Sequence, residues 1–163
     1  MTAPQQSPSF TFFADAMLGK LARWLRMLGF DTAYVRDIED TILIERVLQE
    51  NRWLLTRDGF LVNRKVLRGR HTLLTSDYVS EQLRQLHREL HLDLIVGEKT
   101  TCRCPECNQI LASTTVEEIR ERIPAYVAHH HTKFAWCPSC RRPYWPGRHW
   151  KHFLQQLEEI KGS

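Results

Sequence analysis

The sequence has no apolar run approaching the ~20 residues that a membrane-crossing helix needs, and this excludes a helical membrane protein. Its opening, MTAPQQSPSF, lacks both the basic start and the apolar stretch of a secretory signal, so a cytoplasmic protein is expected. Glycine and proline, seven of each in 163 residues, are too scarce for a collagen-like or low-complexity chain. Two further absences are local. No cysteine occurs before residue 102, so all five are confined to the last part of the chain, and no carboxylate occurs between Glu121 and Glu158. Six cations fall within that gap, Arg122, Lys133, Arg141, Arg142, Arg148 and Lys151, a stretch that prefers negative charge nearby. With 42% hydrophobic and 26% charged residues and a net charge of only +4, the chain is otherwise an ordinary globular one.

Residues 10–91 alternate apolar runs of strand length with runs of helical period. Phe10 to Ala14 is a continuous apolar run, and Leu18, Leu21, Ala22, Leu25 and Leu28 then repeat at helical spacing up to Gly29, a suitable left-handed terminator. Thr32 to Arg36 is the second strand, and Asp40 can cap a helix running to about Gln49. Trp53 to Thr56 is the third strand, and Phe60 to Leu67 is helical. His71 to Thr75 is the fourth strand, and Val79, Leu83, Leu86 and Leu90 stripe another helix. Alternation of this kind predicts βαβ crossovers, a central parallel sheet and helices on both of its faces. The expected units are an α/β domain over 10–95, a cysteine-rich unit over 100–147 and a C-terminal helix over 148–163.

An aspartate follows each expected strand: Asp15, Asp37, Asp58 and Asp77. In open α/β sheets ligands bind at the carboxyl ends of the strands, where these side chains would converge with Glu39 and Asp40 close behind. Clustered hard oxygen donors suit Mg²⁺ or Mn²⁺, and such ions serve phosphodiester hydrolysis. Taken singly, each aspartate fits a turn or helix cap as well, Asp40 most of all. Lys20, Arg23 and Arg26 follow Asp15 on the first helix, where Lys20 or Arg23 could reach a bound phosphate or simply be solvated. Arg57 opens a second basic run, through Arg64, Lys65, Arg68 and Arg70.

Cys104-Pro-Glu-Cys107 and Cys137-Pro-Ser-Cys140 each set two thiols on a tight turn, the arrangement that grips a tetrahedral zinc ion from two sides. The 29 residues between the pairs exceed the common spacer of roughly 15–20, as in a zinc ribbon with an inserted segment. Cys102 lacks the pair spacing and is expected to be a free thiol, and the run His129, His130, His131 reads as solvated. Around the second pair, Trp136, Arg141, Arg142, Tyr144, Trp145, Arg148, His149 and Trp150 interleave cations with flat rings. Such a set either takes phosphates and unpaired bases of single-stranded RNA or packs the ribbon with its arginines outside.

The segments FFADAMLGKLARWLRMLGFDT, ENRWLLTRD, CRCPECN, CPSCRRPYW and GRHW, in this order across about residues 10–152, resemble the Mut-seven C-terminal RNase domain. The resemblance implies a PIN-like three-layer α/β/α sandwich followed by a zinc ribbon, and hydrolysis of RNA with Mg²⁺ or Mn²⁺. By position it makes Asp15, Asp40, Asp58 and Asp77 the catalytic acids, with Asp37 or Glu39 as substitutes for Asp40, and the first three the Mg²⁺ or Mn²⁺ ligands. Lys20, Arg23, Arg57, Arg141, Arg142 and Trp145 are the expected RNA contacts, and Cys104, Cys107, Cys137 and Cys140 the zinc ligands. The rival expectation is a non-catalytic RNA-binding or protein-interaction module on the same scaffold.

Overall fold

The computed structural model describes residues 10–97 and 100–162. Four strands, β1 (Phe12–Ala14), β2 (Thr32–Tyr34), β3 (Trp53–Thr56) and β4 (His71–Leu73), form a fully parallel sheet in the order β2-β1-β3-β4. Four helices belong to this part: α1 (Gly19–Met27), α2 (Asp40–Gln49), α3 (Gly59–Val62) and α4 (Val79–Leu90). Side chains alternate along each strand, so the two faces of the sheet carry separate cores. Phe12, Ala14 and Leu55 pack with Leu21, Leu25, Leu83 and Leu86 of α1 and α4. Phe13 and Leu54 pack on the opposite face with Leu43, Val47, Leu61 and Leu67. Each fully buried leucine contributes about 1.5–3 kcal/mol, and the expected three-layer PIN-like sandwich is the arrangement observed.

The cysteine-rich part forms a second, antiparallel sheet of β5 (Ala112–Thr114), β6 (Phe134–Trp136) and β7 (Pro143–Tyr144), with the short helices α5 (Val116–Ile119) and α6 (Ala125–His130) between β5 and β6. Ile119, Ile123, Val127 and Phe134 make its own small core. The chain then returns as α7 (Arg148–Lys161), which buries Phe153, Leu157 and Ile160 in the same core as α1 and α4. Trp24 of α1 meets Phe153 edge-on, with ring centroids 4.7 Å apart.

The helical stripe Leu18, Leu21, Ala22, Leu25, Leu28 is buried throughout, and Gly29 ends α1 at φ +94° as its position predicts. A side chain at Gly29 would also strike the Thr101 carbonyl, 2.9 Å from an ideal Cβ, where the chain passes on its way to the first cysteine pair. Three expectations are corrected at element ends. The strands stop two residues short of Phe10, Arg36 and Thr75. The stretch 60–67 is a single turn of helix followed by a separate 3-10 turn over Lys65–Leu67, because Asn63 and Arg64 leave the helical ladder. Asp40 is the first residue inside α2 rather than its cap; Glu39 occupies the cap position and makes no side-chain capping bond.

Candidate active site and metal centre

The sheet order places β1 between β2 and β3, and the connections out of β1 and β2 run on opposite faces, so the carboxyl end of β1 is the switch point at which such sheets form a crevice. Asp15 stands there, immediately after β1, and is 5% exposed. Its Oδ1 accepts the Ala16 N–H at 2.7 Å and its Oδ2 accepts the hydroxyl of Thr56 at 2.6 Å. The same Thr56 oxygen accepts the N–H of Asp58 at 3.0 Å. One buried threonine at the end of β3 thus ties together the two aspartates that follow neighbouring strands. No lysine or arginine pairs with Asp15 among the described residues. A carboxylate buried without a counter-charge is costly, and a cation close to it removes that cost.

Local packing holds this turn. Tyr34 of β2 donates its hydroxyl to the Ala16 carbonyl at 2.9 Å, and passes so close to Gly19 that a Cβ there would lie 2.7 Å from the tyrosine oxygen. Asp58 caps α3, with Oδ1 accepting from Phe60 and Leu61 at 2.8 and 3.3 Å. The alternative reading of this residue as a helix cap is thus observed. Asp77, on the exposed loop after β4, pairs with Arg57. That loop is fixed from α4, where Gln82 donates to the Ser76 carbonyl at 2.8 Å and Gln85 to the Leu73 carbonyl at 2.9 Å. Asp37, Glu39 and Asp40 are exposed around the start of α2. Lys20 is exposed in the first turn of α1, whereas Arg23 turns to Glu106 of the first cysteine pair, 3.3 Å away.

Among the described residues, the four thiols of Cys104, Cys107, Cys137 and Cys140 are the one group of three or more candidate ligands gathered for a single ion, all within 4.8 Å of one another. The carboxylates are not gathered to that degree. Cys104 to Cys140 is 3.5 Å and Cys107 to Cys137 is 3.4 Å, far beyond a disulfide bond, and all are free. Four thiolates ~2.3 Å from a tetrahedral zinc ion would stand ~3.8 Å apart, so the spacing and soft donor set fit zinc. Cys102 lies outside the group, as do His129, His130 and His131. Burial raises the Cys102 thiol above the ordinary cysteine value, which keeps it protonated.

The first cysteine pair is docked on the amino end of the sheet, opposite the aspartates. Arg26, 5% exposed, donates to the Thr32 carbonyl at 2.9 Å and to the Pro105 carbonyl at 2.8 Å. Asn108, at φ +71°, accepts the Thr32 N–H at 3.0 Å and donates to Asp31 at 2.8 Å. Asp31 also binds Arg52 at 2.7 Å. Burial opposes ionisation of Asp31, but the hydrogen bonds from Arg52 and Asn108 outweigh it and hold the carboxyl below its usual range. Around the second pair, Arg141 and Arg142 are exposed. Trp145 packs against the ribbon core and lines a cavity of about 250 Å³ with Tyr144, Trp150 and Lys133, so it is both packed and accessible. Trp136 lies under the Arg122 guanidinium at 5.2 Å.

Thr56, Tyr34, Gln82, Gln85 and Asn108 have no site role in the sequence expectations, and Arg26 appears there only as the third cation of the first helix, beside Lys20 and Arg23. A single signal was available for one of them: an arginine on the apolar side of a helix, as Arg26 is, needs buried partners.

A family model described as the Mut7-C RNAse domain matches residues 10–157. No curated protein and no solved structure gives a match.

Proposed function

Since the chain belongs to the Mut7-C RNAse domain family, we propose that it hydrolyses RNA at the carboxyl edge of its parallel sheet, with Mg²⁺ or Mn²⁺ held by Asp15 and Asp58 and completed by Asp40. The observation that carries this reading is Asp15, a buried carboxylate at the switch point with no cationic side chain against it among the described residues and strapped to Asp58 through Thr56. When bound, the ion supplies charge neutralisation for the phosphodiester and a water of lowered pKa. The chain's own residues do the rest. Thr56 and the Ala16 N–H fix the Asp15 oxygens, while Tyr34 holds the turn that presents them. Arg57 keeps Asp77 and a positive charge beside the crevice, and Lys20 is placed to neutralise a phosphate oxygen on the α1 side.

The four cysteines bind one structural zinc ion, and Arg141, Arg142 and Trp145 of the ribbon contact single-stranded RNA away from the crevice. Phosphate contacts of this kind weaken steeply with added salt. A non-catalytic RNA-binding scaffold draws support from the capping role of Asp58 and the engagement of Asp77 by Arg57. The two readings part in one experiment: zinc-loaded protein is incubated with end-labelled single-stranded RNA in Mn²⁺ or Mg²⁺, beside the Asp15→Asn and Asp58→Asn variants. Metal-dependent cleavage that both variants lose, while keeping the circular dichroism of the parent, is expected. Cleavage no greater than that of the variants would overturn the hydrolase reading.

A further inference from the structure

Building on the ribonuclease reading above, we infer that the carboxyl edge of the sheet is a platform selective for single-stranded RNA. There the rings of Phe60 and Tyr78 stack on bases beside the phosphodiester, and Arg64, Lys65 and Arg68, on the connection that runs back from α3 to the start of β4, take the phosphates beyond. Phe60 is 88% exposed and Tyr78 73%, the two most exposed large apolar side chains among the described residues. Scattered exposed apolar residues are ordinary, but these are not scattered. Each lies just beyond an aspartate that follows a strand, Phe60 after Asp58 and Tyr78 after Asp77, and β3 and β4 are adjacent. The Arg57–Asp77 pair joins the two loops. Met17, Val35 and Ile42, also exposed, come from the same edge. Nor is Phe60 outside for want of a core, since its neighbour Leu61 on the same turn of helix is 2% exposed.

Charge identifies the occupant. Residues 57–70 carry five cations and one carboxylate, a net +4 that equals the net charge of the whole chain. Arg64, Lys65 and Arg68 are exposed, and among the described residues none has an ion-pair partner. Flat rings at one end of a connection and unpaired cations along it are the elements with which proteins bind unpaired nucleic acid strands, rings taking base faces and cations the backbone. A duplex hides its base faces within the stack, so rings in this position favour single strands.

The test uses the full-length, zinc-loaded chain without added Mg²⁺ or Mn²⁺, so that binding is read apart from cleavage. Fluorescence anisotropy would compare a labelled single-stranded RNA, an abasic strand of equal length and an RNA duplex. Phe60→Ala and Tyr78→Ala should each weaken single-strand binding about tenfold and leave the abasic strand unaffected, and Phe60→Trp should restore it. The triple change Arg64→Ala, Lys65→Ala, Arg68→Ala should weaken all three ligands and flatten the salt dependence. If the Phe60→Ala, Tyr78→Ala double variant binds single strands as tightly as the parent, or loses the abasic strand equally, the platform is refuted and the rings serve a protein contact. Ring-dependent binding by a chain that cleaves nothing in Mn²⁺ or Mg²⁺ would uphold the platform and remove the nuclease. Cleavage by the double variant with its single-strand preference intact would do the reverse.

Discussion

Thr56 offers the sharpest probe of how the crevice is built. It is fully buried, and its one hydroxyl donates to Asp15 at 2.6 Å while accepting from the Asp58 backbone at 3.0 Å. Thr56→Val keeps the shape and removes both bonds. A bond to an ionised acceptor is worth about 1.5–3 kcal/mol and an ordinary one about 0.5–1.5 kcal/mol, so the expected loss of stability is about 2–4.5 kcal/mol. For a chain of this length each kcal/mol moves the melting temperature by about 2–4 °C, which gives a fall of roughly 4–18 °C. The freed Asp15 carboxylate also loses its fixed orientation, and misplacement of a reacting group by about 1 Å costs on the order of 100-fold in rate. Thermal melts by circular dichroism and cleavage of labelled RNA in Mn²⁺ would read the two effects separately. Thr56→Ser, which retains the hydroxyl, should keep most of the cleavage although it gives up a buried methyl. A valine variant that melts and cleaves like the parent would refute the strap, and a serine variant as impaired as valine would show that the methyl, not the hydroxyl, mattered.

Two further predictions concern the opposite end of the sheet. Because Asp31 has its pKa lowered in the folded chain, its contribution is fully present above the unfolded carboxyl value of about 3.9 and is lost as pH falls through the lower folded value. Asp31→Asn should therefore cost about 1–2 kcal/mol at pH 7 by urea unfolding, with the gap to the parent closing below about pH 4; a gap independent of pH would show that Arg52 and Asn108 do not act through its charge. Elemental analysis should find about one zinc per chain in the parent and in Cys102→Ser but a loss in Cys104→Ser, and zinc retained in the last would exclude Cys104 as a ligand.

Much of the scaffold was legible because burial on both faces of a parallel sheet writes short continuous apolar runs, and helices between them write a stripe. The stripe on α1 is buried residue for residue. The cysteine cluster was legible for a different reason: a thiol pair on a tight turn is nearly a complete local instruction, needing only a second pair to meet it. The site's supports were not legible. Thr56 reads as one more β-branched strand residue, and only the register of β3 against β1 sets its hydroxyl on Asp15. Gln82 and Gln85 read as the polar side of α4, yet both are buried and hold the loop after β4. Lys20, Arg23 and Arg26 looked alike on the sequence, at steps of three along one helix. Position relative to the sheet separates them, Lys20 exposed toward the carboxyl end, Arg23 paired with Glu106, and Arg26 buried under the first cysteine pair.

That separation bears on what the ribbon does. Its first cysteine pair is fastened to the last turn of α1 and the first residue of β2, whereas Asp15 lies before the 3-10 turn Ala16–Leu18 that leads into α1, so the nine residues of the helix put about 14 Å between the two ends. The ribbon is thus no wall of the crevice. Asn108 takes its position from the turn that Cys104 and Cys107 define, and it satisfies the Thr32 N–H and one side of Asp31 at the edge of the sheet. Arg26 completes the joint by giving its buried guanidinium to a carbonyl on each side. Opening the thiol cluster would leave these groups unpaired at the amino end while the Asp15–Thr56–Asp58 strap at the carboxyl end kept its own bonds. The ribbon therefore fastens to the sheet at its amino end, and on the proposed reading an RNA strand reaching both Arg141 or Arg142 and the crevice runs along the core between the two ends.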